Sequence, residues 1–137
     1  MRYALGDVIQ IFTEPCPCGW PEMRFKILGR ADDMLIIKGV NVYPAALKSA
    51  VSEFAPRTTG AFRILLDRPG PLVTPPLKVR IEYGKENMSD HEKHALAKEL
   101  VNHIRIRLRV NPAIELVAPF SLPRDSGKTS LIEIKER

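Results

Sequence analysis

Four short stretches of the chain carry side chains able to do chemistry. Near the C-terminus, residues 122–129 (LPRDSGKT) place Lys128 directly after Ser126 and Gly127. An ammonium on a long stem, carried by a loop loosened by glycine, can neutralise negative charge that gathers between two anionic groups. The plain alternative is a solvated surface lysine. The Gly-Lys-Thr triplet is not a P-loop, because that motif requires glycine five positions before Gly127, where this chain has Leu122.

Upstream, Gly29, Arg30, Ala31, Asp32 and Asp33 set two adjacent carboxylates beside a cation, between two apolar runs. Neighbouring carboxylates are costly to bury together, so they predict either an exposed, bendable joint or a solvated turn in which an Asp caps backbone amides. Lys38, Gly39, Val40 and Asn41 follow as a turn, where Gly39 supplies a positive φ, room for a close approach, or both. Asp7 can accept from paired hydroxyls, although a lone Asp at a strand edge also serves as a turn residue. Cys16 and Cys18 are the only cysteines, and one intervening residue is poor spacing for a mutual disulfide. They suggest one edge of a zinc site, which normally needs four ligands, or else two reduced thiols. His91, His94 and His103 lie far along the chain, so such a site is expected to be incomplete.

The elements that must position these groups follow from periodicity and punctuation. Residues 8–12 and 24–28 are β-type runs around a Pro, Cys and Gly cluster, predicting a small hairpin. Residues 34–38 form a continuous apolar run, predicting a buried strand. Pro44 fits a first helical turn, and Leu47, Ala50, Val51 and Phe54 share one helix face. Strands are expected at 61–66 and at 77–83, the latter with Lys78, Arg80 and Glu82 on a wet face. Ser89 and Glu92 make a capping box for a long amphipathic helix to about Arg109, stopped by Pro112. Residues 114–118 and 131–134 complete the pattern. The expected fold class is α+β, a ferredoxin-like β-α-β-β-α-β lobe preceded by a small β-hairpin.

Composition narrows the function classes. The 137 residues suffice for one domain with a core, burying roughly two thirds of the unfolded surface. Residues are 45% hydrophobic and 27% charged, ordinary globular usage, and no apolar run approaches the length of a membrane span. A cytoplasmic location, with no membrane partner, is the default expectation. The net charge of +5 falls in the second half of the chain, which suits an anionic partner but does not choose among nucleic acid, a nucleotide and coenzyme A.

Residues 29–44 (GRADDMLIIKGVNVYP) together with LPRDSGKT resemble the C-terminal lobe of adenylate-forming acyl-CoA ligases, and the first block looks most like the phenylacetate-CoA ligase group. The resemblance divides the chain into an N-terminal hairpin and hinge segment, 1–30, and a small lobe, 31–137. It implies an AMP-forming acid-thiol ligase in which a carboxylate attacks ATP, the small lobe rotates, and coenzyme A displaces AMP. Phenylacetate or a related aryl acid would be the substrate. Lys128 matches the adenylation lysine, Asp32 with Asp33 the hinge, and Arg30 a position that contacts nucleotide or anchors the hinge. Asp7 matches the ribose acceptor, while Lys38, Gly39, Val40 and Asn41 match the turn beside the pantetheine tunnel. ATP, Mg2+ and coenzyme A would all require a large N-terminal adenylation lobe as partner, so this chain alone is expected to be inactive. The alternative is a ferredoxin-like RNA-binding or ligand-sensing module. Of the central strands only Tyr83 offers an aromatic for base stacking, so no nucleic-acid partner is expected.

Overall fold

The computed structural model describes residues 5–123 and 131–135. Two strands, β1 (Asp7–Phe12) and β2 (Arg24–Arg30), pair antiparallel as the leading hairpin, with an irregularity between Val8 and Ile9. Next come β3 (Leu35–Ile37), β4 (Val40–Val42) and helix α1 (Pro44–Ser52). The chain continues through β5 (Thr58–Leu66), β6 (Leu77–Tyr83), α2 (Asp90–Leu108), β7 (Pro112–Val117) and β8 (Ile132–Ile134). The main sheet has four strands in the order β7-β6-β5-β8. β5 and β6 run antiparallel, whereas β6 and β7 are parallel across α2, and β8 runs parallel to β5. The α+β class and the leading hairpin are as the sequence predicts.

Leu35 and Ile37 of the run at 34–38 are buried, but the run does not join that sheet. Lys38 and Gly39 have φ of 49° and 80°, the positive values a two-residue hairpin turn demands, so β3 pairs locally with β4 instead. Such a pairing closes a minimal loop and costs little chain entropy. The other side of β3 is taken by the Pro-rich connection: the Ile36 amide donates to the Pro71 carbonyl at 2.6 Å, and the Val73 amide donates to the Ile36 carbonyl at 2.9 Å. The sheet edge beside β5 goes to β8.

Both helices form for the reasons their sequences suggest. In α2, Ser89 Oγ accepts from the Glu92 amide, and the Glu92 carboxylate accepts from the Ser89 amide. Its far end closes on Arg109 in the left-handed conformation. α1 starts on Pro44 and ends at Ser52, two residues short of Phe54. Leu47, Ala50 and Val51 of α1, and Leu96, Leu100 and Ile104 of α2, meet Phe62 and Ile64 of β5 and Val79 and Ile81 of β6 in one core, which Leu35, Ile37 and Val42 extend. Truncating a fully buried member such as Leu100 to Ala would cost about 2–5 kcal/mol. Pro112, expected to lie ahead of the strand, is its first residue, where a missing amide is tolerated.

Candidate functional site

The joint between β2 and β3 gathers most of the charged candidates. Asp7 faces Arg30 across the hairpin, and the Ala31 amide donates to the Gly6 carbonyl at 2.8 Å. Arg30 grips Asp32 with two bonds, Nε to Oδ1 at 3.0 Å and Nη2 to Oδ2 at 3.1 Å. This planar fork holds the Asp32 carboxyl below its ordinary range and raises the Arg30 guanidinium, with Asp7 and Asp33 adding to the field on Arg30. Asp33 is exposed and closes the turn through its amide to the Arg30 carbonyl. The joint is therefore an exposed, clasped turn. Beside it, Gly29 lies against Tyr43, the residue preceding α1: a Cβ at Gly29 would stand 3.0 Å from the Tyr43 ring.

Lys38 and Gly39 occupy the tip of the β3–β4 hairpin. Both are exposed, and a Cβ on Gly39 would meet no atom of the described residues, so the need for glycine there is conformational. Val40 is half-buried and Asn41 exposed on β4. The tip thus presents a small, open backbone surface some distance along the chain from the Arg30 clasp.

Cys16 and Cys18 lie on the loop joining β1 to β2, with sulfurs 2.7 Å apart. The hydrogen bond between them, chiefly, lowers the Cys16 thiol from its ordinary value, and the nearby Arg24 charge adds to this. Among the described residues no group of three or more His, Cys, Asp or Glu side chains converges as a metal site. His91 and His94 are exposed on α2, while His103 faces Glu53. Lys128 lies outside the described residues.

Sequence reasoning missed two groups. Glu82, expected on the wet face of β6, is fully buried, and Arg63 in the middle of β5 is buried too. Both reach the loop after β7: Glu82 Oε1 accepts from the Leu122 amide at 2.7 Å, and Arg63 Nη2 donates to the Pro123 carbonyl at 2.7 Å. Alternation shows which face a side chain takes but not what later covers that face. Tyr83 is buried, with the Lys93 ammonium 5.0 Å from its ring centre, so it offers no open face for a stacked base.

The leading hairpin has an uncovered apolar face. Ile9 pairs with Ile27 and Ile11 with Phe25, so all four side chains project from the same side, and they remain 47, 59, 51 and 59% exposed, respectively. Trp20 and Met23 on the adjoining loop are exposed as well. No described helix is long and apolar enough to cross a membrane.

The phenylacetate-coenzyme A ligase of Thermus thermophilus is 36% identical over 93% of the chain, and that of Aromatoleum evansii is 35% identical over 90%. The chain spans only 31% and 28% of their respective lengths. Among solved structures, a 2-hydroxyisobutyryl-CoA ligase in its postadenylation state matches 95% of the chain with a TM-score of 0.80 at 27% identity, the chain covering 28% of it. The same ligase in its thioesterification state matches 94% of the chain at 0.65, the chain covering 27% of it. The sequence profile of the AMP-binding enzyme C-terminal domain covers residues 39–134, from the glycine of the hairpin tip to the last strand, and the chain belongs to that family.

Proposed function

We propose that the chain works as the small C-terminal lobe of an AMP-forming acyl-CoA ligase acting on phenylacetate or a related aryl acid, with residues 1–30 as hairpin and hinge segment and 31–137 as the lobe that turns. The observation that carries this reading is how differently the chain fits two states of one ligase. At the same identity and nearly the same coverage, the fit falls from 0.80 in the postadenylation state to 0.65 in the thioesterification state. A fragment lying wholly on one side of a moving joint would fit both equally. The clasped turn at Arg30 and Asp32, between a hairpin with an uncovered apolar face and the packed lobe, is where such a joint belongs.

In this reading the hairpin face seats on a large adenylation lobe, which provides the acyl pocket, the Mg2+ site and most contacts to ATP. Asp7 accepts from the ribose hydroxyls, and Arg30 holds the hinge through Asp32 with Asp33 beside it. Lys128 stabilises the charge that builds between the attacking carboxylate and the α-phosphate. After rotation, the open tip formed by Lys38, Gly39, Val40 and Asn41 faces the thiol arm of coenzyme A. The Cys16 and Cys18 sulfurs amount to half of a tetrahedral zinc set, so any zinc they hold needs ligands from the partner lobe. No chemical step depends on it.

The test separates the half-reactions in the chain joined to a competent large lobe. Lys128→Ala should slow acyl-adenylate formation by roughly 10²- to 10³-fold, the scale for losing one aimed donor, while thioester release from supplied acyl-adenylate survives. Equal damage to both steps would defeat the two-position reading.

A further inference from the structure

Cys16 and Cys18 are separated by a single proline, a spacing that predicts against a mutual bond, yet the fold brings their sulfurs to 2.7 Å. The cause is the turn in which they lie. The Gly19 amide donates to the Cys16 carbonyl at 2.9 Å, closing residues 16–19 as a β-turn with Pro17 in its second position, where the fixed φ of proline fits. Gly19 leaves that turn with a φ of 79°, which favours glycine. Arg24 secures the incoming side, donating through Nη2 to the Glu14 carbonyl at 2.8 Å while its guanidinium lies over the Phe12 ring. The backbone of the loop therefore holds the two thiols together.

Two thiolates each about 2.3 Å from one tetrahedral zinc stand about 3.8 Å apart. A disulfide brings its sulfurs to about 2.05 Å. The observed separation lies closer to the covalent one. Cys18 is exposed and Cys16 half-buried, and an open groove lined by Thr13, Glu14, Trp20 and Met23 reaches Cys16, so a small reagent has access from solvent. We propose that Cys16 and Cys18 form a reversible dithiol–disulfide site whose exchange partner is a low-molecular-weight disulfide such as glutathione disulfide. One cysteine thiolate attacks a sulfur of the incoming disulfide, forming a mixed disulfide and releasing one partner thiolate. The second cysteine thiolate attacks the protein sulfur of that mixed bond, closing Cys16 onto Cys18 and releasing the other partner thiolate. Two protein thiols are oxidised, one disulfide is reduced to two thiols, and the two protons pass to the released thiolates. Because the second thiolate is already in place, closure outruns the accumulation of the mixed species. Both sulfurs stay within reach of solvent, so excess reduced thiol reopens the bond.

The experiment equilibrates the full chain, in the presence of a chelator, with glutathione buffers of increasing oxidised share, then quenches it in acid and reads intact mass and free thiols. Trp20, the single tryptophan and two residues from Cys18, supplies an independent fluorescence signal. The expected product is a monomer two hydrogens lighter than the reduced chain, free of bound glutathione, whose digest shows Cys16 joined to Cys18 and which reverts in excess reduced glutathione. Cys16→Ser and Cys18→Ser each remove the partner that closes the bond, and each should accumulate the glutathione adduct roughly 10-fold above the parent. Adducts on the parent at the level of the single variants would mean two independent thiols and would overturn the site. So would a disulfide between two chains, or thiols left untouched in the most oxidising buffer.

Discussion

Truncating the apolar face of the leading hairpin should weaken docking onto the large lobe without unfolding the chain. Phe25 and Ile27 each keep 59% of their surface exposed, and their cross-strand partners Ile11 and Ile9 are about half exposed, so the lobe core does not depend on them. Covering a Phe or Ile side chain completely is worth about 1.5–3 kcal/mol. Only the still exposed part is available to a partner, and Ala keeps its Cβ, which leaves about 1–1.5 kcal/mol per truncation. The double variant Phe25→Ala, Ile27→Ala should thus lose about 2–3 kcal/mol, a roughly 30- to 150-fold rise in Kd. Titration calorimetry would read this, with the chain injected into a phenylacetate-coenzyme A ligase large lobe lacking its matching C-terminal portion. Gln10→Ala with Lys26→Ala, a cross-strand pair on the opposite side of the hairpin, is the control and should bind as the parent does. Undiminished affinity of the Phe25, Ile27 variant, or an equal loss in the control, would refute the assignment of this face to the partner lobe.

Alone, the chain should release no AMP when incubated with ATP, coenzyme A and arylacetic acids; steady turnover would mean that the acyl pocket lies within these residues. Asp32→Pro, in the joined enzyme, fixes φ at the clasped turn and should spare pyrophosphate exchange while reducing thioester release, an outcome reversed from that of Lys128→Ala. The Glu92 carboxyl is held below its ordinary value, first by the Ser89 amide and then by the Ser89 hydroxyl. A carboxyl depressed in the folded state stabilises fully above its unfolded value of about 4.3 and loses that contribution as pH falls through the lower folded value. The Tm gap between the parent and Glu92→Ala should accordingly be widest near neutrality and shrink below about pH 4; a gap that grows in acid would contradict the capping geometry. At Gly84 an added Cβ would lie 2.0 Å from the Pro56 carbonyl oxygen, so Gly84→Ala must displace backbone and should cost at least about 1–3 kcal/mol in urea unfolding.

Local chemistry was legible in the sequence wherever its cause is local. Ser89 and Glu92 announce the start of α2 because both partners of the capping box lie within one turn. Leu96, Leu100 and Ile104 were assignable to the core by spacing alone, as were Leu47, Ala50 and Val51. The exposure of Asp32 and Asp33 was legible because two adjacent carboxylates have no inexpensive buried arrangement. The clasp by Arg30 needed coordinates, since a guanidinium on a flexible stem has many accessible partners until the hairpin fixes its base.

What the sequence by itself determined is the set of elements apart from β4, which it reads as part of a turn, together with the alternation of their faces and the positions of the candidate residues, all of which follow from backbone propensity and periodicity within one element. Only the tertiary structure decided which strand takes the edge beside β5, that β3 turns back on β4 instead, and that Glu82 lies under the loop after β7 rather than in water. The reason is physical. A strand of alternating residues has two faces and two edges, and what covers each is settled by segments as distant as residue 122 from residue 82, through burial and hydrogen bonding that no local pattern encodes.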